Sequence, residues 1–300
     1  MVKPPFFPCI KYSHVEQGIY YHFLTKANLY IMKNTIFSLA IAIVFNITNL
    51  FSQELALANL SSNNIFSSKN HSIPTAEPDG NEPEALTLSL LNEGLLALPD
   101  DVLGQTHFQA VRLDGNFLEK LPASIARWSQ CRTLSLANNR LAELPVAIGE
   151  LVNLESMDLT KNHLEQLPAS IARLAGLDRL TIDLNYLSSL PAEIAGLKSL
   201  RSLSVQHNML RSLPASIGQL KNLEMLTLTD NQLTTLPEEI GQLTNLKMLR
   251  IDNNHIQQLP ASIANLKGNL RLLVLTGNPL GKQKMAEIKA MLPNTVVEFK

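Results

Sequence analysis

The stretch LEMLTLTDNQLTTLPEEIGQL, residues 223–243, decides the fold of this chain. Its centre, Leu226-Thr227-Leu228, alternates apolar and polar side chains, and a period of two predicts a short β-strand with its leucines buried. Asn231 follows where the strand must end. Pro237 then fixes φ and suits the first position of a helical turn. One stretch therefore contains a strand, an exit from the strand and a helical return.

The same unit is repeated along most of the chain. Leucine-proline pairs recur every 23 residues from Pro99 to Pro260. An asparagine stands six residues before the proline in seven of these eight units, whereas the first unit has Glu93 there. A ninth unit places Asn278 after a step of 24 residues, with the extra residue near Lys267. Self-similarity at a period of 20 to 29 residues indicates a stacked-repeat architecture.

The units resemble the leucine-rich repeat family, in the 23-residue form LxxLxLxxNxLxxLPxxIGxL of Ras-suppressor-like and bacterial repeat proteins. Residues 223–243 match every fixed position of that form, and the resemblance covers residues 85–280 in nine units. It implies an α/β leucine-rich-repeat solenoid. In such a curved arc, a parallel β-sheet forms the concave face, and short helical or irregular segments form the convex face.

The recurring asparagines have a predicted structural role. A side-chain amide has both donors and an acceptor, so it can pair backbone groups that the stack would otherwise bury without partners. We expect a structural asparagine ladder formed by Asn116, Asn139, Asn162, Asn185, Asn208, Asn231, Asn254 and Asn278.

Residues 281–300 are predicted to cap the last repeat. Met285, Ile288 and Leu292 have helical spacing, and residues 296–299 read as a closing strand. An open stack needs such a cover because its last repeat has an exposed edge.

The N-terminal part differs from the repeats. Residues 32–58 contain a basic start, an apolar centre and the small-residue site Ala56-Leu57-Ala58, which is the layout of a secretory signal peptide. Residues 1–31 then read as a mis-called N-terminal extension, and the polar residues 59–84 as a disordered linker. A buried N-terminal helix and an uncleaved membrane anchor are the alternatives for residues 35–51.

Composition and motifs argue against several classes of function. The net charge of -1 argues against nucleic-acid binding, because no basic excess exists to neutralise phosphates. Two cysteines are too few for a disulfide framework or a thiolate metal cluster. The sequence contains no nucleophile elbow, phosphate loop or metal-ligand spacing, and Cys131 and Trp128 occupy leucine positions that we expect to be buried. We therefore expect a non-enzymatic protein without cofactor or metal.

Side chains that the repeat leaves free are the candidates for binding. The column directly after the asparagines contains residue types enriched at protein interfaces, and the predicted sheet face carries isolated charges of both signs. The candidate partner-binding residues in the first group are Phe117, Arg140, His163, Tyr186 and Met209. Those on the sheet face are Arg112, Asp158, Arg179 and Arg250. The alternative is a solvated surface without a ligand.

Two classes of function remain open. The first is a secreted or cell-envelope protein-binding module, without a membrane span in its mature form, which recognises a protein or peptide through the concave face and the asparagine-side rim. The second is an intracellular scaffold or adaptor in signalling. Residues 32–58 distinguish them, because only the exported protein needs a signal peptide.

Overall fold

The computed structural model describes residues 86–299. The predicted extension (residues 1–31), signal peptide (32–58) and linker (59–84) lie outside the described residues, so they stay predictions.

One parallel sheet of ten strands follows chain order from β1 to β10. Each strand has three residues, and each pairs in register with the next along the chain. The strands are β1 Thr87–Ser89, β2 Ala110–Arg112, β3 Thr133–Ser135, β4 Ser156–Asp158, β5 Arg179–Thr181, β6 Ser202–Ser204, β7 Met225–Thr227, β8 Met248–Arg250, β9 Leu272–Val274 and β10 Val296–Glu298. This architecture confirms the predicted α/β repeat solenoid.

Alternation explains why such short segments form strands. In β3, Leu134 is buried between the less buried Thr133 and Ser135, and Leu136 beyond the strand is buried again. The same pattern recurs in the other repeats, so the inward leucines stack on one another along the sheet. Each unit thereby covers the apolar side of the next one, and the core is continuous along the stack.

Short helices return the chain on the other side of each repeat. The first is a single α-helical turn, α1 Asp100–Leu103, and an α-helix of ten residues, α2 Lys282–Met291, follows the last repeat. The seven helices between them are 3₁₀ helices: η1 Ala123–Arg127, η2 Val146–Glu150, η3 Ala169–Arg173, η4 Ala192–Gly196, η5 Ala215–Gln219, η6 Glu238–Gln242 and η7 Ala261–Leu266.

The prolines stand one position earlier than predicted. Pro122 precedes η1 and has φ −73° and ψ 155°, so its backbone is extended rather than helical. Its carbonyl accepts the N–H of Ile125 at 3.2 Å, which closes the first turn. The fixed φ of proline suits both conformations, and ψ distinguishes them. Proline therefore directs the chain into the helix from outside it.

The extra residue of the ninth repeat is absorbed on the helical side. Helix η7 has six residues where η1 to η6 have five, and β8 and β9 still pair in register, with Leu249 opposite Leu273. The asparagine bonds keep their pattern as well, because Asn278 accepts the N–H of Ile256 at 2.9 Å. Insertion on the outer side thus leaves the sheet undisturbed.

Both ends of the described stack have their own packing. At the first end, the rings of Phe108 and Trp128 meet edge to face with centroids 6.4 Å apart. At the last end, α2 buries Ile288, and β10 pairs with β9 so that Val296 lies opposite Leu272. Between residues 86 and 299, no helix has the length and apolar character needed to cross a membrane.

Candidate partner-binding surface

The asparagine amides hold the strand exits of neighbouring repeats together. Oδ1 of Asn162 accepts the N–H of Leu141 at 3.0 Å, and its Nδ2 donates to the carbonyls of Leu136 at 2.9 Å and Leu159 at 3.0 Å. All eight asparagines accept one backbone N–H from the preceding unit and donate to a carbonyl of that unit. The chain segments that leave the strands are therefore aligned from unit to unit.

This alignment places the residues after the asparagines in one row, the rim. The backbone N–H of Arg140 donates to the carbonyl of Leu118, and that of His163 donates to the carbonyl of Leu141, each at 2.9 Å. Phe117, Tyr186 and Met209 make the equivalent bonds to their preceding units. Side chains that lie 23 residues apart in sequence are thus neighbours in space.

The residue before each asparagine has a left-handed backbone. Asn138, Lys161 and Leu184 have φ of 55°, 55° and 57°, and Gly115 has φ of 74°. This conformation turns the chain out of the strand, and glycine and asparagine adopt it most readily. Leucine does so at a cost, and Leu184 also exposes 41% of its surface.

An open groove is lined by the residues before the asparagines, by the asparagines and by the rim residues after them. It has a volume of about 380 Å³. The guanidinium of Arg140 lies 4.5 Å above the ring of Phe117, and the rings of His163 and Tyr186 are 5.8 Å apart. The lining residues come from four successive units and are Gly115, Asn116, Phe117, Asn138, Asn139, Arg140, Lys161, Asn162, His163, Leu184 and Tyr186.

The groove includes four of the predicted rim residues and excludes the fifth. Phe117, Arg140, His163 and Tyr186 line it, whereas Met209 belongs to the next unit along the stack, where 43% of it is exposed. The binding role of all five stays a prediction.

The four charged candidates of the sheet face do not line the groove. Two of them are engaged within the chain: Oδ1 of Asp158 accepts bonds from the backbone and hydroxyl of Thr160, and Arg250 lies 3.4 Å from Asp252. Arg112 on β2 and Arg179 on β5 are exposed and form no ion pair within residues 86–299. Of these four charged residues, Arg112 and Arg179 are therefore the two available to contact a partner.

Sequence reasoning missed part of the groove. Lys161 and Leu184 line it from the position before the asparagine, whereas the prediction considered only the position after. The available signal was the column of residues that precede the asparagines, in which Leu184 stands among Asn, Gly, Lys, His and Asp. A leucine at a turn position that favours glycine or asparagine is unusual.

Two features of the sheet face were also missed. Asp183 accepts the backbone N–H of Gln206 at 2.8 Å and the hydroxyl of Ser204 at 2.7 Å, so this carboxylate joins adjacent strands. An apolar row also crosses the last four strands in register, formed by Met225, Met248, Leu272 and Val296. The apolar row would have followed from aligning the first strand positions of all units.

Cys131 is buried, and the histidines of residues 86–299 belong to no cluster of metal ligands. Burial raises the pKa of the Cys131 thiol to about 11, so the group is a neutral thiol at pH 7. Its Sγ donates to the carbonyl of Thr133 at 3.2 Å. Nδ1 of His207 lies 3.5 Å from a carboxylate oxygen of Asp230. Over the described range 86–299, no three His, Cys, Asp or Glu side chains converge as metal ligands.

Sequence families match most of the repeat region. The family described as "Leucine-rich repeat region" matches residues 122–207. The family described as "Leucine rich repeat" matches residues 199–256 and 221–280. Together the two families cover residues 122–280, more than half of the chain. None of the curated protein sequences compared with the chain matches it.

Solved structures of similar fold include a type III effector and plant receptors. The leucine-rich repeat domain of the type III effector XopL is 27% identical, with 73% of this chain and 77% of that chain covered and a TM-score of 0.62. The ectodomain of the membrane receptor kinase GASSHO1/SCHENGEN3 from Arabidopsis thaliana, in complex with CASPARIAN STRIP INTEGRITY FACTOR 2, is also 27% identical. It has a TM-score of 0.58, with 68% of this chain and 25% of that chain covered.

A third structure supports the fold alone. The plant peptide hormone receptor RGFR1, in complex with RGF2, is 21% identical and has a TM-score of 0.58. The match covers 68% of this chain and 33% of the receptor. This chain therefore spans a third or less of the two plant receptors that it resembles.

Proposed function

We propose, from the premise that this chain is a leucine-rich repeat protein, that it is a non-enzymatic protein-binding module. The fold commonly serves to bind proteins, because a stack of repeats offers an extended surface whose side chains vary while its backbone does not. The observation that carries the proposal is the groove, where rim side chains of four successive units meet, Phe117 and Arg140 half-buried and His163 and Tyr186 exposed. We expect a protein or peptide partner to bind there and on the adjoining sheet face.

The chemistry of the rim supports this proposal. Phe117, Tyr186 and Arg140 are of the residue types that contribute most to protein interfaces. Tyr186 and Met209 are 48% and 43% exposed, so a partner would remove apolar surface from water on binding. The leucine-rich repeat ectodomain of the plant receptor kinase, which is 27% identical to this chain, was solved in complex with CASPARIAN STRIP INTEGRITY FACTOR 2.

Loss of the rim side chains should abolish partner capture. We expect the variant Phe117→Ser/Tyr186→Ser/Met209→Ser, used as full-length bait against proteins of the source cell, to lose the partners that the parent chain retains. The matched control is Leu96→Ser/Val146→Ser/Val152→Ser, which removes exposed apolar side chains elsewhere. Circular dichroism checks that both variants fold. Equal capture by the rim variant and the parent would refute the proposed binding surface.

We also propose that the protein is exported, on the basis of residues 32–58. The mature chain should then begin near Asn59, because signal peptidase cleaves after small residues such as those at Ala56-Leu57-Ala58. N-terminal sequencing of protein purified from its natural source tests this proposal. Retention of residues before Met32 would contradict it and favour the intracellular scaffold.

A further inference from the structure

Two cations in the groove have no carboxylate partner within the described chain. Arg140 stacks on Phe117, and Lys161 is exposed in the next unit, but neither forms an ion pair within residues 86–299. Three glutamates lie in neighbouring turns of the same units, and none of them pairs with either cation: Glu119, Glu143 and Glu165. Within residues 86–299, no carboxylate therefore lies at ion-pair distance from either groove cation.

Several cations elsewhere in the stack pair with carboxylates of a neighbouring unit, although Arg112 and Arg179 on the sheet face do not. Nη1 of Arg132 lies 2.9 Å from Glu155 of the next unit, and Arg201 lies 3.3 Å from Asp178 of the preceding one. Nζ of Lys247 lies 2.5 Å from Glu224 in the same way. The fold thus allows ion pairs between side chains of adjacent repeats, and Arg140 and Lys161 of the groove form none.

We propose that the groove binds an extended acidic segment of the partner protein, an inference that rests on the protein-binding function proposed above. A carboxylate of that segment contacts Arg140 and Lys161, and an apolar or aromatic side chain two residues further along packs against Tyr186 and Leu184. Charge-assisted hydrogen bonds supply the selectivity for acid, and the exposed rings supply apolar contact.

The dimensions of the groove suit a short extended segment. Its lining spans four successive units, hence three strand spacings of about 4.8 Å, or about 14 Å in all. An extended chain rises about 3.3 Å per residue, so about four residues cover this length. Alternate side chains of such a segment point the same way, so two of them face the groove.

The surroundings favour a peptide over a nucleic acid or a sulfated glycan. The adjoining sheet face carries Asp114, Asp158 and Asp183, which would repel a continuous polyanion. The chain also has a net charge of -1. A segment with one or two carboxylates places its charge at the groove alone.

Leu184 is a second, independent observation that points to a ligand. It holds a left-handed backbone with φ 57° and exposes its side chain into the groove, where asparagine or glycine would fit at lower cost. Every repeat has this left-handed backbone before its asparagine, and Leu184 is the one apolar side chain in that column, so the leucine itself calls for a function. Apolar contact with a partner supplies one.

The test is fluorescence anisotropy with the full-length chain and three labelled probe peptides. The probes are the hexapeptide Gly-Glu-Gly-Tyr-Gly-Gly, whose Glu and Tyr face the same side, and its counterparts with Gln or Lys in place of Glu. We expect the Glu probe to bind about tenfold or more tightly than the Gln probe, because each charge-assisted bond contributes more than a neutral one. The Arg140→Gln/Lys161→Gln variant should lose that preference. The control Arg127→Gln/Lys198→Gln, which changes two cations on the helical side, should keep it.

Each other outcome overturns the inference in a recognisable way. Equal binding of all three probes would contradict the proposal of an acidic ligand and leave the proposed function intact. An unchanged preference of the Arg140→Gln/Lys161→Gln variant for the Glu probe would do the same. Binding of a labelled heparin hexasaccharide, with no binding of any of the three peptides, would assign the groove to a glycan. Tighter Glu-probe binding after Glu77, Asp79, Glu82 and Glu84 are neutralised assigns it to the chain's own acidic residues. Partner capture that survives the triple serine variant refutes the proposed function itself.

Discussion

At the scale of single residues, the asparagine amides determine how one unit is joined to the next. Each amide pairs backbone groups that are buried and that no other side chain reaches, as Asn162 does for Leu141 and Leu136. The amide is itself buried, so water cannot replace it. The joint therefore depends on one functional group at one position of the repeat.

Asn162→Leu should lower the free energy of unfolding by about 1–3 kcal/mol for each backbone group left unpaired. The N–H of Leu141 and the carbonyl of Leu136 are the groups concerned. Urea unfolding followed by the fluorescence of Trp128, the only tryptophan, measures the change. The control Gln257→Leu replaces an exposed amide that makes no hydrogen bond within residues 86–299, and it should be nearly neutral. Similar losses in both variants would contradict the role of the amide.

Leu184→Asn should raise the free energy of unfolding by about 1 kcal/mol, because asparagine tolerates the left-handed backbone that costs leucine 1–2 kcal/mol. The same change should weaken binding of the acidic probe peptide. Leu96→Asn is the matched control, since Leu96 is 68% exposed and has an ordinary backbone. Thermal unfolding of both variants gives the comparison. A destabilised Leu184→Asn protein would show that Leu184 is held by packing and not strained.

The sequence predicts these residues unequally, for a physical reason. The asparagine and leucine columns are readable because they satisfy the backbone and the core, which are the same in every unit. The roles of Lys161 and Leu184 cannot be read in this way. Their side chains point into the groove because the backbone has a positive φ, which the hydrophobic period does not encode. The groove therefore contains residues from before the asparagine that sequence reasoning did not select.

At the scale of elements, the helical side is held by close approach between successive 3₁₀ helices. Gly218 of η5 is buried, and a Cβ built on it would lie 2.6 Å from the carbonyl oxygen of Glu239 in η6 and 2.8 Å from its Cβ. The sequence shows a recurring glycine after the isoleucine, but not that the neighbouring backbone occupies the space. The spacing between helices, which sets this requirement, is a three-dimensional property.

Gly218→Ala should therefore destabilise the protein by about 1–3 kcal/mol through overpacking. Gly268→Ala is the control, because a Cβ at Gly268 meets no atom within 4 Å. That variant should be neutral or more stable by about 0.4–1 kcal/mol, since alanine restricts the unfolded chain. Urea midpoints at a constant m-value provide the measurement. Equal stability of the two variants would mean that η5 and η6 separate at little cost.

At the scale of the whole molecule, the described chain is a stack in which each repeat contacts its neighbours. Stability is then the sum of repeat and interface contributions, and an end without its cover unfolds first. Helix α2 and strand β10 provide that cover at the C-terminal end, where Ile288 is 2% exposed. The sequence predicted a helix and a strand there, because the apolar residues after residue 281 have first helical and then strand spacing in place of the 23-residue pattern.

Ile288→Asp should remove at least about 2 kcal/mol of stability, as other deletions of buried aliphatic groups do. Hydrogen exchange should show that amides of β8 and β9 lose protection before those of β2 and β3. Ala286→Asp introduces the same charge on the exposed side of the same helix and should leave the exchange pattern unchanged. Uniform loss of protection along all strands in Ile288→Asp would indicate a single cooperative unit instead of a graded stack.

The bonds of the asparagine ladder have a consequence for how such a protein can evolve. They reach backbone atoms alone, so a duplicated unit joins its neighbours whatever side chains those neighbours carry. Gene duplication beyond Asn208 would lengthen the protein and keep the four groove-forming units adjacent. Duplication between Asn116 and Asn185 would instead move Phe117 away from Tyr186 and dismantle the groove. Length and recognition can therefore vary independently, provided that new units are inserted outside that interval.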